Sequence, residues 1–102
     1  MKTIKFEEFA QMPEGTIFSY FKPMMCAGLY RKGTTIFEDH HPIDYFEQSL
    51  VAECENGEPP SIRWFSRWGV FDYNQKYAIY EPIDIAALVS LLRNNHQQPT
   101  KQ

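Results

Sequence analysis

The chain has 102 residues, of which 43% are hydrophobic and 16% aromatic, and its formal net charge is -3. A chain of this length and apolar content folds as one domain with its own core, without disulfides or metal, which excludes a largely disordered protein. No apolar run approaches the roughly 18 residues that a membrane span requires. Acidic residues lie near the N-terminus, where a signal peptide would have its apolar run. The sequence has no cluster of Lys and Arg that could neutralise the phosphates of duplex nucleic acid. We therefore expect a cytoplasmic protein whose partners include neither membranes nor duplex nucleic acid.

The first third of the chain predicts a short helix followed by strands. Apolar residues at helical spacing between positions 4 and 12 precede the turn residues Pro13 and Gly15, so a short amphipathic helix should end there. β-branched and aromatic residues then predict three strands in an antiparallel meander, with a turn at residues 31–33 and a bulge or close backbone approach at Gly28. These strands are residues 16–21, 24–30 and 34–37.

The middle of the chain is acidic. No Lys or Arg lies between Lys32 and Arg63, whereas seven of the thirteen acids lie there. Two interpretations remain open: solvated charges that discourage strand addition at a sheet edge, or a surface that selects a basic partner. Residues 45–54, within this part, fit either a helix or a strand by their apolar spacing.

The sequence of residues 62–71 predicts a strand that contains two Arg-Trp pairs, four positions apart. In an extended chain, successive side chains point to opposite faces, so the tryptophans share one face and the arginines the other. One of these faces is expected in the core. The other is a candidate binding surface, since Arg and Trp are enriched among the residues that dominate interface energetics. The candidate interface or ligand-binding residues are Arg63, Trp64, Phe65, Arg67 and Trp68.

The C-terminal third predicts a last strand at residues 76–80 and then the clearest helix of the chain. Pro82 suits the first helical turn, Asp84 suits the positive helix terminus, and Asn94 or Asn95 suits the C-cap. The apolar residues of this helix recur at helical spacing. They are Ile85, Leu88, Leu91 and Leu92. The sum is a single α+β domain over residues 1–95, with a short N-terminal helix, a curved antiparallel sheet of about four to six strands and a C-terminal helix, followed by a polar flexible tail at 96–102.

Some side chains could in principle catalyse a reaction or bind a metal, but a structural role is enough to explain each of them. Cys26 and Cys54 lack partners at zinc-ligand spacing and are expected to be reduced and buried. His40 and His41, beside Glu38 and Asp39, suggest a metal site, but adjacent histidines on an extended segment diverge and a polar loop before Pro42 explains them. The tyrosines at 20, 30, 73, 77 and 80 are expected mostly in the core or half-buried in the sheet. No catalytic motif is present, and we assign no catalytic residue, no metal and no cofactor.

Two segments carry a resemblance to a known group of proteins. "FEEFAQMPEGTIFSY" near the start and "WGVFDYNQKYAIYEPIDIAALVSLL" towards the end resemble uncharacterised small accessory proteins of tailed bacteriophages and prophages. In that group, a short helix ends in a Pro-x-Gly-Thr turn, and Phe-Asp-x-x-Gln precedes an aromatic strand and a helix led by Glu-x-x-Asp. The matching residues here are Pro13, Gly15, Thr16, Phe71, Asp72, Gln75, Tyr80, Glu81 and Asp84.

The resemblance implies a fold and an origin, and it favours a strand for residues 45–54. Small phage proteins of this kind often act on host machinery by binding, so the first hypothesis is a non-enzymatic protein that binds a host protein in the host cytoplasm and inhibits or redirects it. Counter-defence, as in anti-CRISPR-type inhibitors, is one form of this activity. The alternative is a small-ligand binder that sequesters a nucleotide-like signal through aromatic stacking and arginine contacts. A metal-dependent hydrolase using His40 and His41 ranks third, and a homodimer formed through a sheet edge stays open.

Overall fold

A computed structural model of the chain describes residues 1–22, 24–51, 66–67 and 74–94. The predicted α+β class, with a short N-terminal helix, an antiparallel sheet and a C-terminal helix, is confirmed. The tail predicted at 96–102 lies outside the described residues. In chain order, the elements are β1 (Lys2–Lys5), α1 (Phe6–Ala10), β2 (Ile17–Lys22), β3 (Met25–Glu38), β4 (His41–Ser49), β5 (Ser66–Arg67), β6 (Lys76–Ile79) and α2 (Pro82–Arg93).

The strands form one six-stranded sheet in the order β1-β6-β2-β3-β4-β5. Every neighbouring pair is antiparallel. Strands β2 to β5 follow each other as a meander, whereas β6 returns from late in the chain to lie between β1 and β2. Residues 45–49, which the sequence left between helix and strand, belong to β4.

The start of the chain differs from its prediction. Ile4 and Lys5 were expected inside the N-terminal helix, but residues 2–5 form β1, in which Ile4 pairs with Tyr77 of β6. Ile4 is buried while its strand neighbours are exposed, which is the alternation of an edge strand with one covered face. The helix α1 begins only at Phe6. Ile4 and Phe6 fit both periodicities, so local spacing alone does not distinguish the strand from the helix.

The turn predicted at residues 31–33 is wrong, since β3 runs without a break for 14 residues. The register of β3 against β4 shifts between Lys32 and Thr35, where Lys32 pairs with Glu47 and Thr35 with Tyr45. Two residues of β3 therefore lie opposite one residue of β4, which is a β-bulge. Gly33 marks this bulge within a continuous strand, and the same residue type suggests a turn when only the sequence is known.

Two other glycines behave as predicted. Gly15 has φ 95 in the turn after α1, where Thr16 Oγ1 donates to Pro13 O at 2.7 Å. Gly28 has φ 72, and a Cβ atom there would lie 2.4 Å from the ring of Tyr30. The predicted bulge or close approach at Gly28 is therefore confirmed. Ser19 Oγ donates to the carbonyl of Gly28 at 2.6 Å, which ties β2 to the bulge.

The core lies between α1 and one face of the sheet. Phe9 is fully buried, and its ring stacks on Tyr77 with centroids 3.9 Å apart and an interplanar angle of 4°. The same ring meets Phe18 edge-on at 4.7 Å and Tyr45 at 5.1 Å. Predicted burial of the sheet tyrosines is confirmed for the four described ones: Tyr20, Tyr30, Tyr77 and Tyr80. Tyr73 lies outside the described residues.

The C-terminal helix has the predicted ends. Asp84 Oδ2 accepts a hydrogen bond of 2.8 Å from the Glu81 amide, and the Asn94 amide donates to Ser90 O at 3.1 Å. The Met1 ammonium lies 2.8 Å from Asp84 and 3.3 Å from Glu81, and its hydrogen bond lowers the pKa of the Asp84 carboxyl.

None of the residues of α2 is buried. Within the described ranges, no helix combines the length and the apolar character that a membrane crossing requires.

Candidate binding surfaces

The predicted site residues fall mostly outside the described ranges. Arg63, Trp64, Phe65 and Trp68 are not described, so their separation into two faces stays a prediction. Arg67 lies in β5, where its backbone pairs with that of Phe46 in β4. A strand at this point of the sequence is therefore present, although only two residues of it are described.

The connection between β2 and β3 places two methionines at one end of the sheet. Lys22 pairs with Met25, so Met24 lies in the connection of the β2–β3 hairpin. Met24 has φ 71 and is 99% exposed, while Met25 is 58% exposed. We call residues Met24 and Met25 the hairpin tip.

Cys26, next to the hairpin tip, is exposed and not in a disulfide. Its predicted burial is wrong because Cys26 pairs with Phe21 beside the turn of the β2–β3 hairpin, beyond the aromatic core. Cys54 lies outside the described residues. A cysteine side chain is most often buried, but the position of Cys26 along the hairpin leaves it exposed to solvent.

Backbone and solvent both disfavour methionine at position 24. A left-handed backbone costs about 1–2 kcal/mol for residues other than glycine and, in part, Asn and Asp. An apolar side chain in water loses the stabilisation that burial would give it. A residue that is unfavourable on both counts at a protruding turn is a candidate for a binding role.

The helix α2 presents a second exposed apolar surface. The predicted stripe is only partly covered: Ile85 and Leu88 are half-buried, whereas Leu91 and Leu92 are 72% and 67% exposed. On another side of the helix, Ile83 is 77% exposed. The sequence predicted the helix and its spacing correctly, but helical periodicity does not state how many sides of a helix the domain covers.

A shallow depression of about 500 Å³ runs along the outer side of α2. Its described lining has one guanidinium, from Arg93, and no aromatic ring. The nucleotide-like ligand of the alternative hypothesis requires stacking on an aromatic ring, which this lining does not offer. The lining residues are Ala86, Val89, Ser90, Arg93 and Asn94.

A chain of buried hydroxyl groups crosses the sheet beneath α1. The Tyr20 hydroxyl donates to Glu47 Oε1, and the hydroxyls of Tyr20 and Tyr45 lie 2.6 Å apart. The Tyr77 hydroxyl lies 3.3 Å from that of Tyr45. Because the Tyr20 proton is directed at the carboxylate, the donors run from Tyr77 to Tyr45 to Tyr20 to Glu47. We call these four residues the tyrosine chain.

Burial sets the protonation of the tyrosine chain. It raises the pKa of Tyr20, and the negative charge of Glu47 raises it further. Burial likewise raises the pKa of Tyr45, with the neighbouring Tyr20 as the next cause. Both phenols therefore stay protonated donors at neutral pH, so the chain orders the core around a carboxylate and offers no phenolate nucleophile there.

Lys32 is a buried cation on the same side of the sheet, with 1% of its surface exposed. Its Nζ donates to Thr35 Oγ1 at 2.6 Å and to Gly33 O at 3.1 Å, and it lies 5.7 Å from the centre of the Phe9 ring. Thr35 Oγ1 in turn donates to the carbonyl of Ala10 at the end of α1. Within the described part of the chain, no carboxylate forms an ion pair with Lys32. Burial accordingly lowers the pKa of Lys32.

We expect Lys32→Met to raise the unfolding free energy at neutral pH by about 1–2 kcal/mol, since an apolar side chain of similar length removes the cost of burying the charge. The gain should shrink as the pH rises towards 10.5, the ordinary lysine value. Between the lowered pKa and 10.5, the unfolded chain holds the proton and the folded chain does not, so wild-type stability rises with pH. Urea denaturation at several pH values measures both effects.

Lys76→Met is the matched control, because Lys76 is exposed in β6. Its unfolding free energy should stay within about 0.5 kcal/mol of wild type at every pH. A loss of stability in Lys32→Met at neutral pH, or a difference from wild type that does not change with pH, would contradict a desolvated ammonium at this position.

Only His40 of the two adjacent histidines lies in a tight turn, whereas His41 begins β4. Asp39 and His40 have φ 50 and 67, and Glu38 pairs with His41, which defines a two-residue hairpin loop between β3 and β4. Both histidines are exposed. Among the described side chains, no group of three or more His, Cys, Asp and Glu is placed to hold a metal ion.

Sequence reasoning missed the residues that are most unusual in the structure. Glu47 and Lys32 look like ordinary surface charges, and Tyr45 was not among the tyrosines assigned to the core. Met24 offered no signal either, since methionine is not a residue type that favours a left-handed backbone.

The chain matches no protein-family model, no curated protein and no solved structure. The resemblance to phage accessory proteins therefore depends on the two sequence segments alone.

Proposed function

We propose that the chain is a small phage or prophage accessory protein that binds a host protein in the host cytoplasm and inhibits or redirects it. The hairpin tip is one of its contact points. Counter-defence, as in anti-CRISPR-type inhibition, is the form of this activity that the sequence resemblance favours.

One observation carries the binding role. At position 24 the backbone favours glycine and the solvent favours a polar side chain, yet the residue is a methionine that is 99% exposed. Proteins keep such unfavourable residues where the side chain serves a function, at some loss of stability. A methionine side chain is flexible and polarisable, so it adapts to an apolar pocket on another protein.

The partner expected at the hairpin tip is a protein with a preformed apolar pocket. Two thioethers at the end of a hairpin fit such a pocket, and Met25, 58% exposed, extends the contact along β3. A lipid surface is a poorer match, since interfacial membrane binding is promoted by basic residues and aromatic anchors, whereas this chain has a net charge of -3. Arg63 and Arg67, with the tryptophans between and after them, stay predicted anchors of the same complex.

Capture experiments with Met24→Gly test the proposal. The variant should raise the unfolding free energy by about 0.5–1 kcal/mol, because glycine removes the left-handed strain at some entropic cost. Its capture of a host protein from bacterial lysate, quantified by mass spectrometry, should fall at least about tenfold below wild type, as expected for a central contact residue.

Asp39→Gly provides a matched control at the opposite end of β3. Asp39 is also exposed and also left-handed, with φ 50, but aspartate tolerates this backbone. The variant should leave both stability and capture near wild type. Equal capture by wild type and Met24→Gly would remove the hairpin tip from the proposed interface, and a destabilised Met24→Gly would contradict the strain argument.

A further inference from the structure

Two lysines lie directly opposite each other on the face of the sheet away from α1. Lys5 of β1 pairs with Lys76 of β6. The neighbouring pair, Ile4 and Tyr77, is buried on the face that α1 covers, and successive residues of a strand point to opposite faces. The ammonium groups therefore extend from the other face, where both lysines are exposed. We call Lys5 and Lys76 the lysine pair.

The described part of the chain provides no carboxylate that offsets the repulsion within the lysine pair. Like charges directly opposite each other in a sheet are destabilising. Lys2 lies 4.0 Å from Glu8, whereas no described carboxylate forms an ion pair with Lys5 or with Lys76. Lysine on an edge strand discourages strand addition, but β6 lies between β1 and β2, so edge protection does not explain Lys76. The lysine pair is therefore unfavourable in the free protein, as Met24 is at the hairpin tip.

The lysine pair and the hairpin tip lie at the same end of the sheet. Phe21, in the last turn of the β2 pleat before Lys22, pairs with Lys76 on one side and with Cys26 on the other. One strand spacing of about 4.8 Å and three residues of about 3.3 Å each separate Lys76 from Met24. A host protein that receives Met24 in a pocket therefore also reaches the lysine pair, since an ordinary interface is wider than this separation.

We infer that the lysine pair binds carboxylates of an acidic segment on the host protein. The inference rests on the proposed function, since it states which chemistry the host protein presents beside the pocket for the hairpin tip. Opposed residues of an antiparallel pair have Cβ atoms about 5 Å apart, so the two ammonium groups can hold one carboxylate between them or contact two neighbouring ones. Binding then replaces a repulsion by attractions, and this difference favours the complex.

The backbone that carries the lysine pair is held in place. Gln75 Nε2 donates to Lys76 O at 2.7 Å and to Phe21 O at 3.2 Å, which joins the end of β2 to the start of β6. The half-buried Phe21 lies on the same face as the lysine pair and offers an apolar contact beside the charges. An ordered backbone loses little entropy when a ligand binds, so binding here costs less than at a loose loop.

Protein carboxylates fit the lysine pair better than phosphates do. Phosphate is matched by the guanidinium fork of arginine, whereas the lysine pair offers two separate point charges. A long polyanion such as a nucleic acid would also meet the net charge of -3 of the whole chain. A short acidic segment of a protein needs only the two local cations.

Titration of the full, isotope-labelled chain with a hexaglutamate peptide, followed by NMR, tests the inference. The amides of Lys5, Phe21 and Lys76 should shift most, and Lys5→Gln and Lys76→Gln should each weaken binding at least about fivefold. Lys2→Gln is the matched control: it removes the same charge from the same strand, but on the other face and beside Glu8, and should change the dissociation constant by less than about twofold. Salt at about 1 M, which limits charge interactions to about 3 Å, should abolish the shifts.

The titration also separates the alternatives. A wild-type chain that does not bind hexaglutamate overturns the inference. Equal weakening by all three variants does so as well, because it would reduce the contact to the overall charge of β1. Tighter binding of a hexathymidylate strand than of hexaglutamate would assign the lysine pair to phosphates instead.

A second measurement distinguishes failure of this inference from failure of the proposed function. A host protein that wild type captures and Met24→Gly does not should elute from Lys76→Gln at a lower salt concentration than from wild type. Equal elution overturns the carboxylate contact and leaves the hairpin tip in place. Without a host protein that depends on Met24, the proposal for the hairpin tip fails, and the hexaglutamate titration alone decides whether the lysine pair binds carboxylates.

Discussion

Phe9→Ala should lower the unfolding free energy by about 4 kcal/mol, the largest effect expected for a single substitution in this chain. Phe9 is fully buried and contacts the rings of Tyr77, Phe18 and Tyr45. Alanine would remove one of the two rings that join α1 to the sheet, the other being Phe6, and would leave a cavity at the centre of the core. The cation of Lys32, 5.7 Å from the ring, would also lose its aromatic neighbour. Urea denaturation monitored by circular dichroism measures the loss.

Phe37→Ala is the control for this prediction. Phe37 lies near the far end of β3 and is 50% exposed, so its truncation should change the unfolding free energy by less than about 1 kcal/mol. A similar destabilisation by both variants would show that the aromatic cluster around Phe9 is not the main source of stability.

Tyr20→Phe should lower the unfolding free energy by about 3 kcal/mol, although it removes only one oxygen atom. The Tyr20 hydroxyl donates to the buried Glu47 carboxylate, and hydrogen bonds to charged groups contribute more than those between neutral groups. The variant leaves the carboxylate with one donor fewer in a place where only 5% of Glu47 is exposed. Urea denaturation of wild type and variant at neutral pH gives the difference.

The order of effects along the tyrosine chain is the sharper test. Tyr45→Phe removes a hydrogen bond between two neutral hydroxyls and leaves the carboxylate contact of Tyr20 in place, so we expect a loss of about 1 kcal/mol. A larger loss for Tyr45→Phe than for Tyr20→Phe would mean that Glu47 is not the acceptor on which the chain depends. Near-equal losses would point to a protonated, uncharged Glu47.

Local signals were enough to predict the elements whose ends depend on neighbouring residues. Pro82, Asp84 and Asn94 mark the ends of α2, and the structure has the helix between them. The turn at Gly15 and the bulge at Gly28 are confirmed for the same reason, since glycine is the residue that adopts a left-handed backbone without steric cost. These features depend on a few residues in sequence, so sequence reasoning finds them.

Features that depend on distant pairing could not be predicted in the same way. β1 is a strand because Ile4 meets Tyr77, and nothing near Ile4 shows that partner. The continuity of β3 through Gly33 similarly depends on its pairing with β4. Within the candidate site, the tyrosine chain joins residues of three strands, so the burial of Glu47 follows from the sheet order and not from the acidic sequence around it.

The sheet order also determines when the protein can fold. The strand β6, at Lys76–Ile79, lies between β1 and β2, so the N-terminal strand has no described neighbour until three quarters of the chain has been made. Closing so long a loop costs entropy before any pairing offsets it, and such non-local contacts slow folding. During synthesis, β1 must therefore wait for β6, and the Phe9 ring lacks its stacking partner Tyr77 until then. For a protein made in quantity, that interval is when chaperones or unwanted association act on the chain.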